Sequence, residues 1–220
     1  MQSPLQNVTL PHYCCSCGEI GQVLCDSCKY DIIQDLGAQC FACLRPVGRS
    51  GDVCKVCATY YSRGWFVGTH RGALREIIAR YKFKRMKSGA DTLAQLLHRT
   101  LPQLPANVVV ACVPTVAAHV RARGYDHAVL LAKHFARLRG VSYHNPLRRN
   151  ANTMQRGAAR NVRLQQAKVA FTAVNAKAGT YLLLDDVSTT GATVNYAAKA
   201  LLDAGATEVW VATVTREPLD

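Results

Sequence analysis

The sequence predicts an α/β protein: a mostly parallel sheet flanked by helices, with a small cysteine-rich module in front of it. Three observations predict this. Nine of the ten cysteines fall in residues 14–57. The run NVVVACV at 107–113 is continuously apolar, as a strand buried on both faces must be. From there to the C-terminus, apolar runs alternate with segments of helical periodicity. A length of 220 residues, 49% of them hydrophobic, suits a packed domain plus a small companion. The expected boundaries are 1–60 for the cysteine module and 63–220 for the sheet.

The cysteines form four Cys-x-x-Cys pairs: Cys14 and Cys17, Cys25 and Cys28, Cys40 and Cys43, and Cys54 and Cys57. Cys15 is spare. Two residues between thiolates let one short knuckle give two of zinc's four tetrahedral ligands, so four pairs supply two structural Zn²⁺ sites. Neither half is long enough to build its own core, and metal binding has to hold it together. Sequential pairing is favoured, with a double zinc ribbon as the result; an interleaved cross-brace stays open. Cys112 reads as a buried apolar filler.

Behind the module, Ala73, Ile77, Ile78 and Tyr81, then Leu93, Leu96, Leu97 and Leu101, give two helices broken around Ser88–Gly89. After the strand at 107–113, Pro114 leads towards the helix HAVLLAKHFARLRG, closed by Gly140. KVAFTA and TYLLLDD read as strands, GATVNYAAKALLDAG as a helix and EVWVATVT as the last strand. His127 is expected at a solvated helix start. Tyr60, Tyr61, Trp65 and Phe66 suit either stacked bases or the joint between module and sheet, and the joint is the favoured reading. No stretch approaches the roughly 20 apolar residues of a membrane span. No basic region precedes an apolar core at the N-terminus, so a cytoplasmic location without membrane insertion is expected.

The net charge of +13 is unevenly spread. Residues 63–163 carry nineteen Lys and Arg against three acids, while both flanks are near neutral or slightly acidic. That imbalance points to a polyanion, and single-stranded DNA is the expected partner. YKFKR at 81–85 alternates aromatic and basic residues at a helix end, which suits stacked bases and their phosphates. Residues 146–165 are arginine-rich and acid-free, with little periodicity, as in a basic loop or hairpin. The nucleic-acid candidates are Lys82, Lys84, Arg85, Arg148, Arg149 and Arg156.

The most specific stretch is LLLDDVSTTGAT at 182–193. Ser188, Thr189, Thr190 and Thr193 offer hydroxyls, Gly191 permits close backbone approach, and the next helix points its N-terminus at the turn. The stretch lies where an open α/β sheet binds ligands, beyond the carboxyl end of a buried strand. Two carboxylates beside a phosphate cradle make sense when the ligand also brings donors. Asp185 and Asp186 suit the neighbouring hydroxyls of a ribose, and they suit a divalent cation. Taken alone, a strand end whose acids and hydroxyls merely cap a helix would look the same.

A strand ending in two acids followed by DVSTTGAT resembles the phosphoribosyl diphosphate (PRPP) signature of type I phosphoribosyltransferases. Together with the Cys-x-x-Cys pairs, YKF at 81–83, VPTVAAHVRARGYDHAVLLA at 113–132 and TMQRGAARNVRLQQAKVAF at 153–171, the chain resembles the ComF family, linked to bacterial DNA uptake. The resemblance implies a type I phosphoribosyltransferase-like sheet with a flexible basic hood at 146–165. It places ribose on Asp185 and Asp186, and the 5′-phosphate on Ser188, Thr189, Thr190, Gly191, Ala192 and Thr193. Pyrophosphate would meet Pro114, Thr115 and Val116, with Arg121 and Arg123 beyond, and Mg²⁺ would accompany PRPP. Asp126-His127 stands where relatives commonly read Asn-Gln. Thr189 occupies the place of the carboxylate that acts on the base in purine salvage, which disfavours 6-oxopurine acceptors. The function expected is therefore a PRPP-binding phosphoribosyltransferase-family protein acting in competence and able to bind single-stranded DNA. The alternative is a non-catalytic nucleic-acid-binding or adaptor protein that uses the same site for regulation and docks on DNA-uptake proteins.

Overall fold

The computed structural model describes residues 13–34, 37–84, 86–150 and 170–217. Its elements, in chain order, are α1 (Asp26–Gln34), β1 (Arg63–Thr69), α2 (Gly72–Phe83), α3 (Gly89–Thr100), β2 (Val109–Cys112), α4 (Ala117–Arg123), α5 (His127–Arg139), β3 (Ser142–Tyr143), β4 (Leu147–Arg149), β5 (Phe171–Ala173), β6 (Thr180–Ser188), α6 (Ala192–Asp203) and β7 (Glu208–Arg216). Five strands form one sheet in the order β1-β7-β6-β2-β3, and every neighbouring pair is parallel. All carboxyl ends therefore share one edge. From β2 the chain moves outward to β3, whereas from β6 it moves the opposite way to β7. The crevice expected at such a reversal lies between the ends of β2 and β6.

A parallel sheet must be covered on both faces, and the side chains show how. Leu182 and Leu184 of β6 pack with Leu93, Leu97, Leu131 and Phe135 from α3 and α5. Tyr181 and Leu183 face the other way, towards Val194, Ala198 and Leu201 of α6. Helix α5 starts sharply because the Asp126 carboxylate accepts from Ala128 N–H at 3.0 Å and Val129 N–H at 3.3 Å. It stops at Gly140, which takes a φ of 65°. Arg139, in its last turn, donates to the carbonyls of His98 and Leu101 at 2.7 and 2.6 Å, closing α3 as well.

The cysteine-rich segment shares both halves of this core. Cys14, Val23, Leu24 and Cys25 join Trp65 and α3 on one face, while Phe41 joins Tyr61, Phe66 and Val211 on the other. The Phe41 ring meets Tyr61 edge-on at 5.6 Å and Phe66 at 6.3 Å. Trp65 and Phe66, adjacent on β1, thus point to opposite faces. Phe66 meets Phe41, and the Trp65 ring lies against Gly51 of the second half as well as in the cluster that holds the first.

Three elements differ from the sequence reading. RGWFVGT forms β1, a strand that Gly64 and Gly68 hid by interrupting its apolar pattern. The segment before His127 holds the short helix α4, which buries no residue and so carries no apolar stripe. KVAFTA contributes β5 to an antiparallel pair with β4, Leu147 facing Ala173 and Arg149 facing Phe171, outside the parallel sheet. The two strands flank residues 151–169, which hold most of the expected hood (146–165) and Arg156 and lie outside the described residues, as does Arg85.

Candidate functional site

A cleft of about 690 Å³ opens at the carboxyl ends of β2 and β6. The turn after β2 (Val113, Pro114, Thr115, Val116) forms one wall. Asp185, Asp186, Val187 and Thr193 form another, and Lys82, Arg123, His127 and Arg149 reach in from α2, α4, α5 and β4. The sheet places the two acids on opposite faces of one strand end, and their surroundings differ accordingly.

Asp186 is almost fully buried, with Lys82 Nζ 2.8 Å from one carboxylate oxygen and His127 Nε2 3.0 Å from the other. Burial alone would raise this carboxyl; the Lys82 ammonium and the His127 ring outweigh it and hold the group well below the usual carboxylate range. Asp185 is only partly covered and lines the cleft. It accepts from the backbone N–H of Asp186 at 2.9 Å. Burial, and behind it the Asp186 charge, push it up to about 7. One acid is therefore a neutralised anchor and the other a titrating group facing the ligand space.

Lys82 and His127 are held there by tyrosines. The Tyr81 hydroxyl donates to the His127 carbonyl at 2.6 Å, and the Tyr125 hydroxyl donates to the Tyr81 carbonyl. These bonds clamp the end of α2 to the start of α5. Arg123 Nη1 lies 2.7 Å from His127 Nδ1, on the side of the ring away from Asp186. Thr115 donates to the capping carboxylate of Asp126 at 2.8 Å, which ties the turn after β2 to the same helix start. His127, expected at a solvated helix start, is 6% exposed and belongs to the acid cluster. No periodicity in the sequence marks it, because its partner comes from a distant strand.

The hydroxyl turn stands beside the acids. Ser188 ends β6 and is buried, Thr189 is exposed, and Thr190 Oγ accepts from Ala192 N–H at 3.3 Å. Gly191 takes a φ of 77°, a conformation open to glycine, and α6 starts directly after it. Of the turn and helix start, Thr193 in the first turn of α6 lines the cleft, and a helix start on that side is the kind of place that suits an anion. Arg121 lines a second cavity of about 540 Å³ behind the 114–116 turn, shared with Arg148 and Arg149. Arg149 also lines the main cleft and donates to the Pro114 carbonyl at 3.1 Å. Among the nucleic-acid candidates, Lys82 faces Asp186 inside the cleft, whereas Lys84 and Arg148 are exposed.

The cysteines form two groups in sequential order, Cys14, Cys17, Cys25 and Cys28, then Cys40, Cys43, Cys54 and Cys57, with the sulfurs in each within 4.8 Å of one another. Cys25 Sγ lies 3.8 Å from Cys14 Sγ and 3.7 Å from Cys17 Sγ; Cys54 Sγ lies 3.5 Å from those of Cys43 and Cys57. Thiolates around zinc at about 2.3 Å stand about 3.8 Å apart, so both sets fit a structural zinc with no open position. Backbone N–H groups of Cys25 and Cys54 point at Cys14 and Cys40 sulfurs at 3.5 and 3.3 Å, which would orient and stabilise the thiolates. The cross-brace left open by spacing is not the arrangement formed. Cys15 stands outside both groups, and Cys112 is buried on β2, where Asn145 Nδ2 donates to its sulfur at 3.2 Å.

No profile of a known protein family matches the chain. Competence protein ComFC of Bacillus subtilis is 27% identical over 194 residues, 83% of this chain and 79% of that protein. Competence protein F of Haemophilus influenzae is 32% identical over 157 residues, 66% of this chain and 69% of that protein. The chain belongs to the ComF family. Two solved structures are also similar to this ComF-family chain. One is a glutamine phosphoribosylpyrophosphate amidotransferase from B. subtilis complexed with ADP and GMP, at 23% identity and a TM-score of 0.37. The other is an allosteric regulatory enzyme of purine biosynthesis, at 25% and 0.39. The match covers 56% of the ComF-family chain but only about a quarter of the length of either structure.

Proposed function

We propose that the cleft binds PRPP, with ribose hydroxyls on Asp185 and Asp186, the 5′-phosphate on residues 188–193 and the pyrophosphate against Pro114, Thr115 and Val116. The observation that carries this reading is the meeting, in one cleft, of an acid pair, Thr193 from the first turn of α6 and the turn after β2. Asp185 supplies an open carboxylate for a diol. Asp186 becomes available only if the diol or a cation displaces Lys82. Arg123 and Arg149 bring positive charge to the pyrophosphate side. The hard carboxylate oxygens also fit Mg²⁺, which would neutralise pyrophosphate as it leaves. In the transfer itself, a nitrogen nucleophile forms a bond to C1′ while the bond from C1′ to the pyrophosphate oxygen breaks, its electron pair leaving with pyrophosphate. The basic hood at 146–165 would exclude water from that step.

Both relatives are named competence proteins, which supports a role in competence. The basic middle of the chain supports single-stranded DNA as its polyanion, and a cytoplasmic location belongs to the same proposal. Residues 63–220 would serve as the PRPP unit and residues 1–60 as a zinc-held head for protein partners of DNA uptake. No helix among the described residues is long and apolar enough to cross a membrane. The second reading, a regulatory PRPP site on a non-catalytic adaptor, is favoured by Asp186 being already paired by Lys82 and His127. Calorimetry with PRPP and Mg²⁺ tests the site: the native chain binds, and Asp185→Asn with Asp186→Asn does not. A native chain that takes up no PRPP overturns both readings. Pyrophosphate release across a panel of nitrogen acceptors then separates transferase from adaptor.

A further inference from the structure

Arg216 is the largest fully buried side chain described, and nothing in the cleft chemistry above uses it. It ends β7, directly beside Ser188 in the register of the sheet. Its guanidinium runs from the phosphate turn to the second cysteine group. Nε donates to the Phe41 carbonyl and Nη2 to the Ala42 carbonyl, both at 2.9 Å, and these two residues are the interior of the Cys40–Cys43 knuckle. Nη1 donates to the carbonyls of Ser188 and Glu217 at 3.4 and 3.0 Å.

At its other end the group touches the turn. A Cβ placed on Gly191 would meet Arg216 Nη2 at 3.9 Å and Ser188 Oγ at 4.0 Å. Ser188 Oγ is buried without a hydrogen-bond partner among the described residues. None of the ion pairs among the described residues involves Arg216. The guanidinium also lies over the Phe41 ring at 5.9 Å and feels the charges of Glu217, Cys40 and Cys43. No carboxylate among the described residues pairs with it directly, and an anion seated on the adjoining turn would add a counter-charge at its other end.

We propose that Arg216 is a positioning residue that couples the second Cys₄ site to the phosphate turn. Metal on Cys40, Cys43, Cys54 and Cys57 fixes the Phe41 and Ala42 carbonyls. Those carbonyls hold the guanidinium against Ser188, and the guanidinium sets the shape and positive potential of residues 188–193. Loss of that metal frees the knuckle, lets the guanidinium leave and loosens the turn, although no cysteine touches the cleft. The ligand side of this coupling rests on the PRPP reading; the conformational side does not.

The test uses the full chain with Cys54→Ser, which leaves the first zinc site intact, and Arg216→Lys, which keeps the charge but loses the fork. Metal content by native mass spectrometry, hydrogen exchange and calorimetry with ribose 5-phosphate are the readouts. The expected result for Cys54→Ser is one zinc, unchanged exchange at residues 182–184, and exchange at 188–193 faster by about tenfold, the size of a typical coupling between sites. Affinity for ribose 5-phosphate falls by a similar factor, and Arg216→Lys reproduces both changes with two zincs bound. Native exchange at 188–193 in the one-zinc chain overturns the coupling. So does loss of protection throughout the sheet, because the metal would then hold the whole fold rather than the turn. A native chain that ignores ribose 5-phosphate removes the PRPP reading, and the exchange comparison still decides the coupling.

Discussion

Asp185 and Asp186 are neighbours in sequence, yet burial and partners drive their protonation in opposite directions. Burial, and then the Asp186 charge, push Asp185 up to about 7 from 3.8, with Lys82 and Arg149 pulling the other way. Between those values the folded chain keeps a proton that the unfolded chain releases, so stability falls as pH rises through that window. Asp186 behaves oppositely: its pairing stabilises the fold above the ordinary carboxylate value and is lost only as acid protonates it. Denaturant titrations at pH 4 to 8 are expected to show the falling slope in the native chain and a flatter profile for Asp185→Asn; equal slopes would contradict the assignment. Asp186→Asn strips Lys82 of its buried partner and should cost on the order of 3 kcal/mol. The pair of acids was legible in the sequence because they are adjacent and precede a hydroxyl turn. Lys82 and His127 were not recognised as their partners, because only packing of α2 and α5 brings those side chains to the end of β6. Lys82 looked like a surface base in a basic run, and a linear pattern has no sign for a lysine that turns inward.

Helix and strand ends decide how well the cleft is formed. Asp126 both caps α5 and receives the Thr115 hydroxyl, so Asp126→Ala should lower stability by about 1 kcal/mol and also loosen the pyrophosphate-side turn. Weaker PRPP binding beyond the loss of stability would register that second effect. Gly64 on β1 lies so close to the second knuckle that an added Cβ would stand 2.5 Å from Phe41 Cβ and 3.1 Å from Val211 Cγ2. Gly64→Ala is therefore expected to destabilise the chain by about 1–3 kcal/mol, measured by urea denaturation; an unchanged midpoint would mean the knuckle does not seat there. Helices α2, α3, α5 and α6 and strands β2, β6 and β7 were readable from apolar periodicity. Strand β1 was not, since the glycines that admit Phe41 and Leu74 break the pattern that would announce it. The two residues of β3 are too short for any periodicity.

The whole molecule joins a head with two Cys₄ groups to a parallel sheet with a cleft at its carboxyl edge through one shared core. Trp65 is buried in the cluster that holds Val23, Leu24 and Cys25 of the first half and meets Trp210 edge-on at 5.9 Å, so stripping both zincs should expose it and shift the tryptophan fluorescence to longer wavelength. An unshifted spectrum after metal removal would show that the head folds without zinc. The four Cys-x-x-Cys pairs made the metal sites legible, but spacing left their pairing open, and only the chain path settled it as sequential. The charge distribution belongs to this scale too: binding of single-stranded DNA should weaken with salt at a log–log slope of about −0.7 per phosphate contacted. A flat salt response would leave the basic middle of the chain without a polyanion role. The most direct measurement of the central claim is a crystal structure of the full chain with PRPP and Mg²⁺. The result expected is a ribose whose hydroxyls lie on Asp185 and Asp186, with Lys82 displaced and the 5′-phosphate held by residues 188–193. A ligand bound elsewhere, or a cleft in which Lys82 still sits on Asp186 and the turn is empty at saturating PRPP, would contradict it.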